Sequence, residues 1–104
     1  MKAPSRRRLG NTDVEVTEFG FGGAPLGDLF VAVTEPQAQD TLAAAWQGGI
    51  RYYDTAPFYG HGKSEHRIGH FLITMGRKAV HKIGFLACGG HQFGRYLIIL
   101  RVSK

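Results

Sequence analysis

Gly48-Gly49-Ile50-Arg51-Tyr52-Tyr53-Asp54-Thr55-Ala56-Pro57-Phe58-Tyr59-Gly60 is the stretch whose reading decides the fold. Two glycines stop whatever precedes them. Ile50 to Tyr53 is a short β-branched and aromatic run and reads as a strand. Asp54 then stands at the strand end, and Tyr59 on the loop after it. A carboxylate and a phenol so placed are the start of a proton-transfer site. A phenol, with its ordinary pKa of roughly 10, becomes a useful acid near neutral pH only beside a cation.

Upstream, Thr34-Glu35-Pro36-Gln37 opens a helix. Thr34 is an N-cap, Gln37 completes a capping box, and Pro36 lies in the first turn where its missing N–H does no harm. Leu42 and Trp46 share one face, and Gly48-Gly49 ends the helix. Before it, Arg8-Leu9-Gly10 and Val14-Glu15-Val16 flank Asn11-Thr12-Asp13 as a small hairpin. Thr17 to Gly23 reads as a strand that ends in glycines. Downstream, Ser64 is expected to cap a second helix through Glu65, Ile68, Phe71 and Leu72. Ala79 to Leu86 and Tyr96 to Val102 are expected as third and fourth strands. Strands alternating with helices predict a parallel sheet of α/β class.

The 104 residues allow one domain at most. The single cysteine, Cys88, excludes an internal disulfide and fits a reducing, cytoplasmic setting. No apolar run reaches the length of a membrane span, and no apolar stretch follows the basic start as a signal peptide requires. The net charge of +5 is unevenly spread. All eight acids lie between Asp13 and Glu65, and Arg67, Arg77, Lys78, Lys82, Arg95, Arg101 and Lys104 follow with none to balance them. The chain thus divides into residues 1–72, of ordinary character, and a basic, acid-free segment, 73–104. That segment holds either native strands or a continuation foreign to the fold. A non-enzymatic binding module built on this tail is the alternative to a catalytic reading. The dispersed charges match no nucleic-acid module, so nucleic acid is not the expected partner.

Three other patterns carry little chemistry. The glycine run from Gly20 to Gly27 fails the dinucleotide fingerprint, because Pro25 holds the sixth position and no helix follows at once. Bare backbone lying close to something flat explains it better. His66 and His70 are four apart, but Arg67 stands where a zinc-protease helix needs Glu, and no metal is expected. Cys88 and His91 lack an orienting third group. Lys82, in contrast, falls on the third predicted strand. If that strand lies parallel beside the second, Asp54, Tyr59 and Lys82 converge at one end of the sheet.

From Arg7 to Leu72 the chain resembles the aldo/keto reductases. The resemblance rests on Arg8-Leu9-Gly10-Asn11-Thr12, Gly20-Phe21-Gly22-Gly23-Ala24, Gly48 through Gly60, and Ser64-Glu65. Pro57-Phe58-Tyr59-Gly60-His61-Gly62 with Glu65-His66-Arg67-Ile68-Gly69 is similar to the branch of sugar (L-fucose) and pyridoxal dehydrogenases. The resemblance implies the N-terminal part of a (β/α)8 TIM barrel, hairpin at its base, with the barrel not closed. It implies hydride transfer between NADP or NAD and a small carbonyl or sugar substrate, with a tetrad of Asp, Tyr, Lys and His. Asp54, Tyr59 and Lys82 match the first three members. Gly22, Gly23 and Ala24, with Asp54, match the lining of the nicotinamide pocket. Where the family has its His this chain has Arg101-Val102-Ser103. A full barrel takes about 250 residues, so the chain reads as truncated or frameshifted near residue 72, inactive alone, and prone to self-associate through an open edge.

Overall fold

The computed structural model describes residues 2–75, together with the backbone of two further strands, residues 82–86 and 95–99. In chain order the elements are β1 (Arg6–Arg8), β2 (Glu15–Thr17), β3 (Phe21–Gly22), a 3-10 turn (Ala24–Gly27), α1 (Glu35–Gln47), β4 (Tyr52–Thr55), α2 (Lys63–Met75), β5 (Lys82–Leu86) and β6 (Arg95–Ile99).

The hairpin forms as expected, β1 antiparallel to β2 with Arg7 opposite Val16. It joins the body through Thr17, which is buried. The Thr17 hydroxyl donates to Phe19 O (2.6 Å) and accepts from Arg51 N (3.1 Å).

Helix α1 starts and stops where its sequence says it should. Gln37 N donates to Thr34 Oγ1 (3.3 Å), and Thr34 N donates to Gln37 Oε1 (2.9 Å), closing the capping box. Gly48 is the C-cap, and Gly49 takes a φ of +92°, a left-handed geometry that favours glycine. Ala38 and Leu42, one turn apart, are fully buried. On α2 the buried stripe is Ser64, Arg67, Ile68, Phe71 and Leu72, the spacing of one helix face.

Between them lies β4. Its alternation sends Tyr53 and Thr55 to the helices and leaves Tyr52 and Asp54 half-buried on the other face. Leu26, Leu42, Tyr53, Ile68, Phe71 and Leu72 form the core, with Phe21 against Tyr53 (ring centroids 5.4 Å apart) and Trp46 edge-on to Phe71 (6.2 Å). Burying each large aliphatic side chain contributes about 1.5–3 kcal/mol.

The four-stranded sheet runs β3-β4-β6-β5. Strand β3 is parallel to β4, as expected, with Phe21 beside Tyr53 and Gly22 beside Asp54. The rest of the expected parallel order is corrected. Strands β5 and β6 pair as an antiparallel hairpin, and β6, antiparallel to β4, occupies the edge where β5 was expected. Ladder hydrogen bonds satisfy the β4 edge from either direction, so local sequence does not choose between the arrangements. The described sheet is not closed. Cys88, His91 and the tail charges other than Lys82 and Arg95 lie outside the described residues, as do all side chains beyond Met75.

Candidate active site

Asp54 sits at the C-terminal end of β4, and the backbone carries it directly to the neighbouring strand. Gly23 N donates to Asp54 O (2.8 Å), and Gly22 pairs with Asp54 in register. The two glycines differ sharply. Among the described residues a Cβ on Gly22 would meet nothing within 4 Å, so none of them covers the surface beside Asp54 there. A Cβ on Gly23 would collide with the Asp54 carbonyl and lie 2.8 Å from Ser64 Oγ. The expectation of bare backbone against something flat thus splits. Gly22 leaves a bare shelf, whereas Gly23 is needed by the chain's own packing. Ala24 opens the 3-10 turn that follows.

Tyr59 is half-buried on the loop joining β4 to α2. That loop is bound to itself at nearly every residue. Tyr59 N donates to Ala56 O (3.0 Å), Gly62 N to Pro57 O (2.9 Å) and Ser64 N to Tyr59 O (3.1 Å). Gly60, His61 and Gly62 take φ values of +73°, +50° and +94° in succession. This run of left-handed residues turns the chain sharply into α2. Behind the loop stands the 3-10 turn. A Cβ on Gly27 would lie 2.5 Å from Tyr59 O, so the two backbones are in direct contact.

Ser64 does not cap α2. The helix starts at Lys63, and the Ser64 hydroxyl is fully buried inside it. It donates to Gly23 O (2.7 Å) and lies 2.8 Å from Thr55 Oγ1. One side chain therefore ties β3, β4 and α2 together beneath Asp54.

Arg67 is the residue that sequence reasoning missed. Its side chain is 7% exposed and each of its guanidinium nitrogens donates a hydrogen bond. Nη1 donates to Leu26 O (2.8 Å) and Asp28 Oδ1 (3.2 Å), Nη2 to Val33 O (2.7 Å) and Nε to Glu35 Oε2 (2.9 Å). Lys63 reaches the other oxygen of Asp28, and Val33 N donates to Asp28 Oδ1 (2.9 Å). Hydrogen bonding from Lys63, then from Val33 N–H, lowers the Asp28 carboxyl to a pKa of about 2. At Glu35 partial burial pushes upward, but hydrogen bonds from Gln39 and Arg67 outweigh it and the carboxyl lies below its usual range.

At the other end of β4, burial pushes the Tyr53 phenol up to about 12, against the opposing pull of Arg51. Tyr53 donates to Ile50 O (3.2 Å) and stays a neutral packing residue. Arg51 lies over the Trp46 ring, 3.5 Å from its centroid.

The described structure thus brings Asp54, Gly22, Gly23, Ala24 and the Tyr59 loop to one end of the sheet. It does not bring Lys82 there. Lys82 opens β5, opposite Ile99, which is itself opposite Tyr52. Its backbone is two strands from β4 and level with the strand's start rather than with Asp54. Among the described residues no group of three or more His, Cys, Asp or Glu is arranged to hold a metal, and no helix is long and apolar enough to cross a membrane.

The model of the aldo/keto reductase family matches residues 18–83, from just after the hairpin to Ile83. The chain is 45% identical over 80 residues to pyridoxal 4-dehydrogenase of Microbacterium luteolum, covering 77% of this chain and 23% of that protein. It is 52% identical over 62 residues to D-threo-aldose 1-dehydrogenase of a Pseudomonas species (60% and 19%). With L-galactose dehydrogenase of Arabidopsis thaliana it is 37% identical over 98 residues (94% and 31%). The chain therefore spans less than a third of the length of these relatives. The family model covers more than half of the chain, including Asp54, Tyr59 and the glycines beside them, and the chain belongs to the aldo/keto reductases.

Proposed function

We propose that this chain supplies the first βα units of an NAD(P)-dependent oxidoreductase acting on a sugar or a pyridoxal-like aldehyde or alcohol. The observation that carries the reading is the Asp54–Tyr59 segment at the C-terminal end of a strand paired in parallel with β3. Barrel enzymes place their chemistry at that end. The open surface over Gly22, beside Asp54, fits a flat ring laid against backbone. Gly22, Gly23 and Ala24, with Asp54, would line that position, and the nicotinamide would supply or accept the hydride. Tyr59 holds the proton at the substrate oxygen, donating it in reduction and taking it back in oxidation. Asp54 keeps a neighbouring cation charged and aimed. Lys82 does not take that third place in the described sheet, where β6 stands between β4 and β5, although the family match extends across it. The same match favours native barrel sequence at least to that point.

Within these 104 residues the tetrad's His has no counterpart, so the chain alone is expected to be silent. The edges at β3 and β5 are open in the described sheet, which favours association with further strands, including those of a second copy. The reading is tested by grafting residues 6–75 in place of the corresponding segment of the Pseudomonas D-threo-aldose 1-dehydrogenase. The graft is expected to oxidise its sugar with NAD(P), and Tyr59→Phe is expected to abolish turnover while leaving cofactor binding intact. A folded, cofactor-binding graft that is inactive, or one indifferent to Tyr59→Phe, refutes it. Turnover by the 104-residue chain alone would overturn the expectation of silence.

A further inference from the structure

We infer that Arg67 is a positioning residue for Tyr59, acting through the loop that backs it. The inference rests on the reading of Tyr59 as the proton carrier. Arg67 and Tyr59 are eight positions apart and are not joined by any of the hydrogen bonds described above. The connection runs through the segment from Gly23 to Glu35. Three of the guanidinium nitrogens grip that segment at Leu26 O, Asp28, Val33 O and Glu35. A planar fork with fixed N–H directions sets these acceptors in one plane, which a lysine cannot do. Gly27 lies between two gripped residues, Leu26 and Asp28. It is the residue whose backbone touches the carbonyl of Tyr59 and the amide of Gly60. Lys63, at the start of α2, holds Asp28 from the other side.

Tyr59 therefore stands between two fixed supports. Its own carbonyl is held from the front by Ser64 N (3.1 Å) and from behind by the Gly27 backbone. With the fork removed, four acceptors lose their common donor. The 3-10 turn is then free to back away, and the Tyr59 backbone loses its rear wall. The beginning of α2 keeps its own hydrogen bonds, from His66 N to Gly62 O and from Ser64 N to Tyr59 O. The effect is thus displacement of one tyrosine, not loss of the helix.

The test uses the full chain with its four tyrosines labelled with carbon-13 at Cζ, the Tyr59 signal being identified by its loss in Tyr59→Phe. Arg67→Ala is expected to shift or broaden the Tyr59 signal and leave that of Tyr53, in the core, where it was. Guanidinium chloride at low millimolar concentration is expected to restore the Tyr59 signal, and methylammonium is not. An unmoved Tyr59 signal overturns the inference. So does equal movement of Tyr53, which would make Arg67 a general stabiliser, and so does equal rescue by methylammonium. Gly27→Ala leaves Arg67 intact and separates the same two backbones, so it serves if Arg67→Ala fails to fold. It must move the Tyr59 signal alone, and an unmoved signal there overturns the inference as well. These readouts need no turnover. An inactive graft would therefore refute the proposed function and leave this result standing.

Discussion

The unlike environments of two adjacent glycines yield a matched experiment. Gly23→Ala places a methyl group against the Asp54 carbonyl, 2.8 Å from Ser64 Oγ and 3.3 Å from Ile68 Cδ1. Ser64 and Ile68 are both fully buried, so neither neighbour has room to retreat. Overpacking at such a site costs about 1–3 kcal/mol. Separating β3 from β4 and α2 also weakens at least one of two buried hydrogen bonds, Gly23 N to Asp54 O (2.8 Å) or Ser64 Oγ to Gly23 O (2.7 Å). That adds about 1 kcal/mol. Restricting the unfolded chain returns about 0.5 kcal/mol. The sum is a loss of about 1.5–3.5 kcal/mol. With a urea dependence of about 1–3 kcal/mol per molar, the unfolding midpoint falls by at least about 0.5 M. Gly22→Ala is the control, because its Cβ enters open space and its φ is ordinary. It should stay within about 0.5 kcal/mol of the parent. Urea melts of the three proteins, followed by Trp46 fluorescence, decide the matter. If the two variants share a midpoint, the packing argument for Gly23 is wrong.

Three more predictions concern the same scaffold. Ser64→Ala leaves Gly23 O without its donor and Thr55 without its partner, and should cost about 1–3 kcal/mol in a urea melt. Adding Thr55→Val should cost less than the sum of the single changes, since the two hydroxyls share one bond. Thr34→Ala removes the acceptor for Gln37 N and should lower α1-dependent stability by about 1 kcal/mol, read as a fall in thermal midpoint. The Asp28 carboxyl, at about 2, lies below the ordinary value of roughly 3.9 for an unfolded Asp. Its support for the loop is therefore complete above about pH 4 and fades as the pH falls toward 2. Pepsin should nick the exposed Leu29-Phe30-Val31 tip increasingly across that window, whereas Asp28→Asn should be cut alike at both ends of it.

Much of this molecule was legible because its signals are local. A capping box, a proline in the first turn and a pair of glycines bound α1 without help from the rest of the chain. Strand β4 and the loop after it were equally plain. What escaped was decided at a distance. Ser64 resembles a cap in sequence, but its hydroxyl is taken by Gly23, forty-one positions away. Arg67 was noted as one of the late basic residues, as part of a family motif and as standing where zinc chemistry needs Glu, but not as a structural clasp. Its acceptors come from a loop whose path no short-range pattern describes, and three of the residues it grips contribute carbonyls or carboxylates with no signature of their own. The order of β5 and β6 failed for the reason that pairing partners are chosen by the sheet as a whole. The placement of Lys82, which depended on that order, went with it.

The contact between Gly27 and Gly60 restricts how this site can change by mutation. Each glycine fills the space a side chain on the other would need, since a Cβ on Gly60 would lie 2.8 Å from Gly27 Cα. A methyl group on either forces the two segments apart once. After that separation a methyl on the second meets little further resistance, apart from the left-handed φ of +73° that Gly60 would still have to hold. The pair should thus be strongly non-additive, the double substitution costing little more than Gly60→Ala alone. Any single step away from glycine at either position moves the Tyr59 loop against the 3-10 turn, and no second step repairs the first. Variation near Tyr59 is therefore channelled into the exposed Leu29–Val31 tip, where side chains can change without moving the wall behind the Tyr59 backbone.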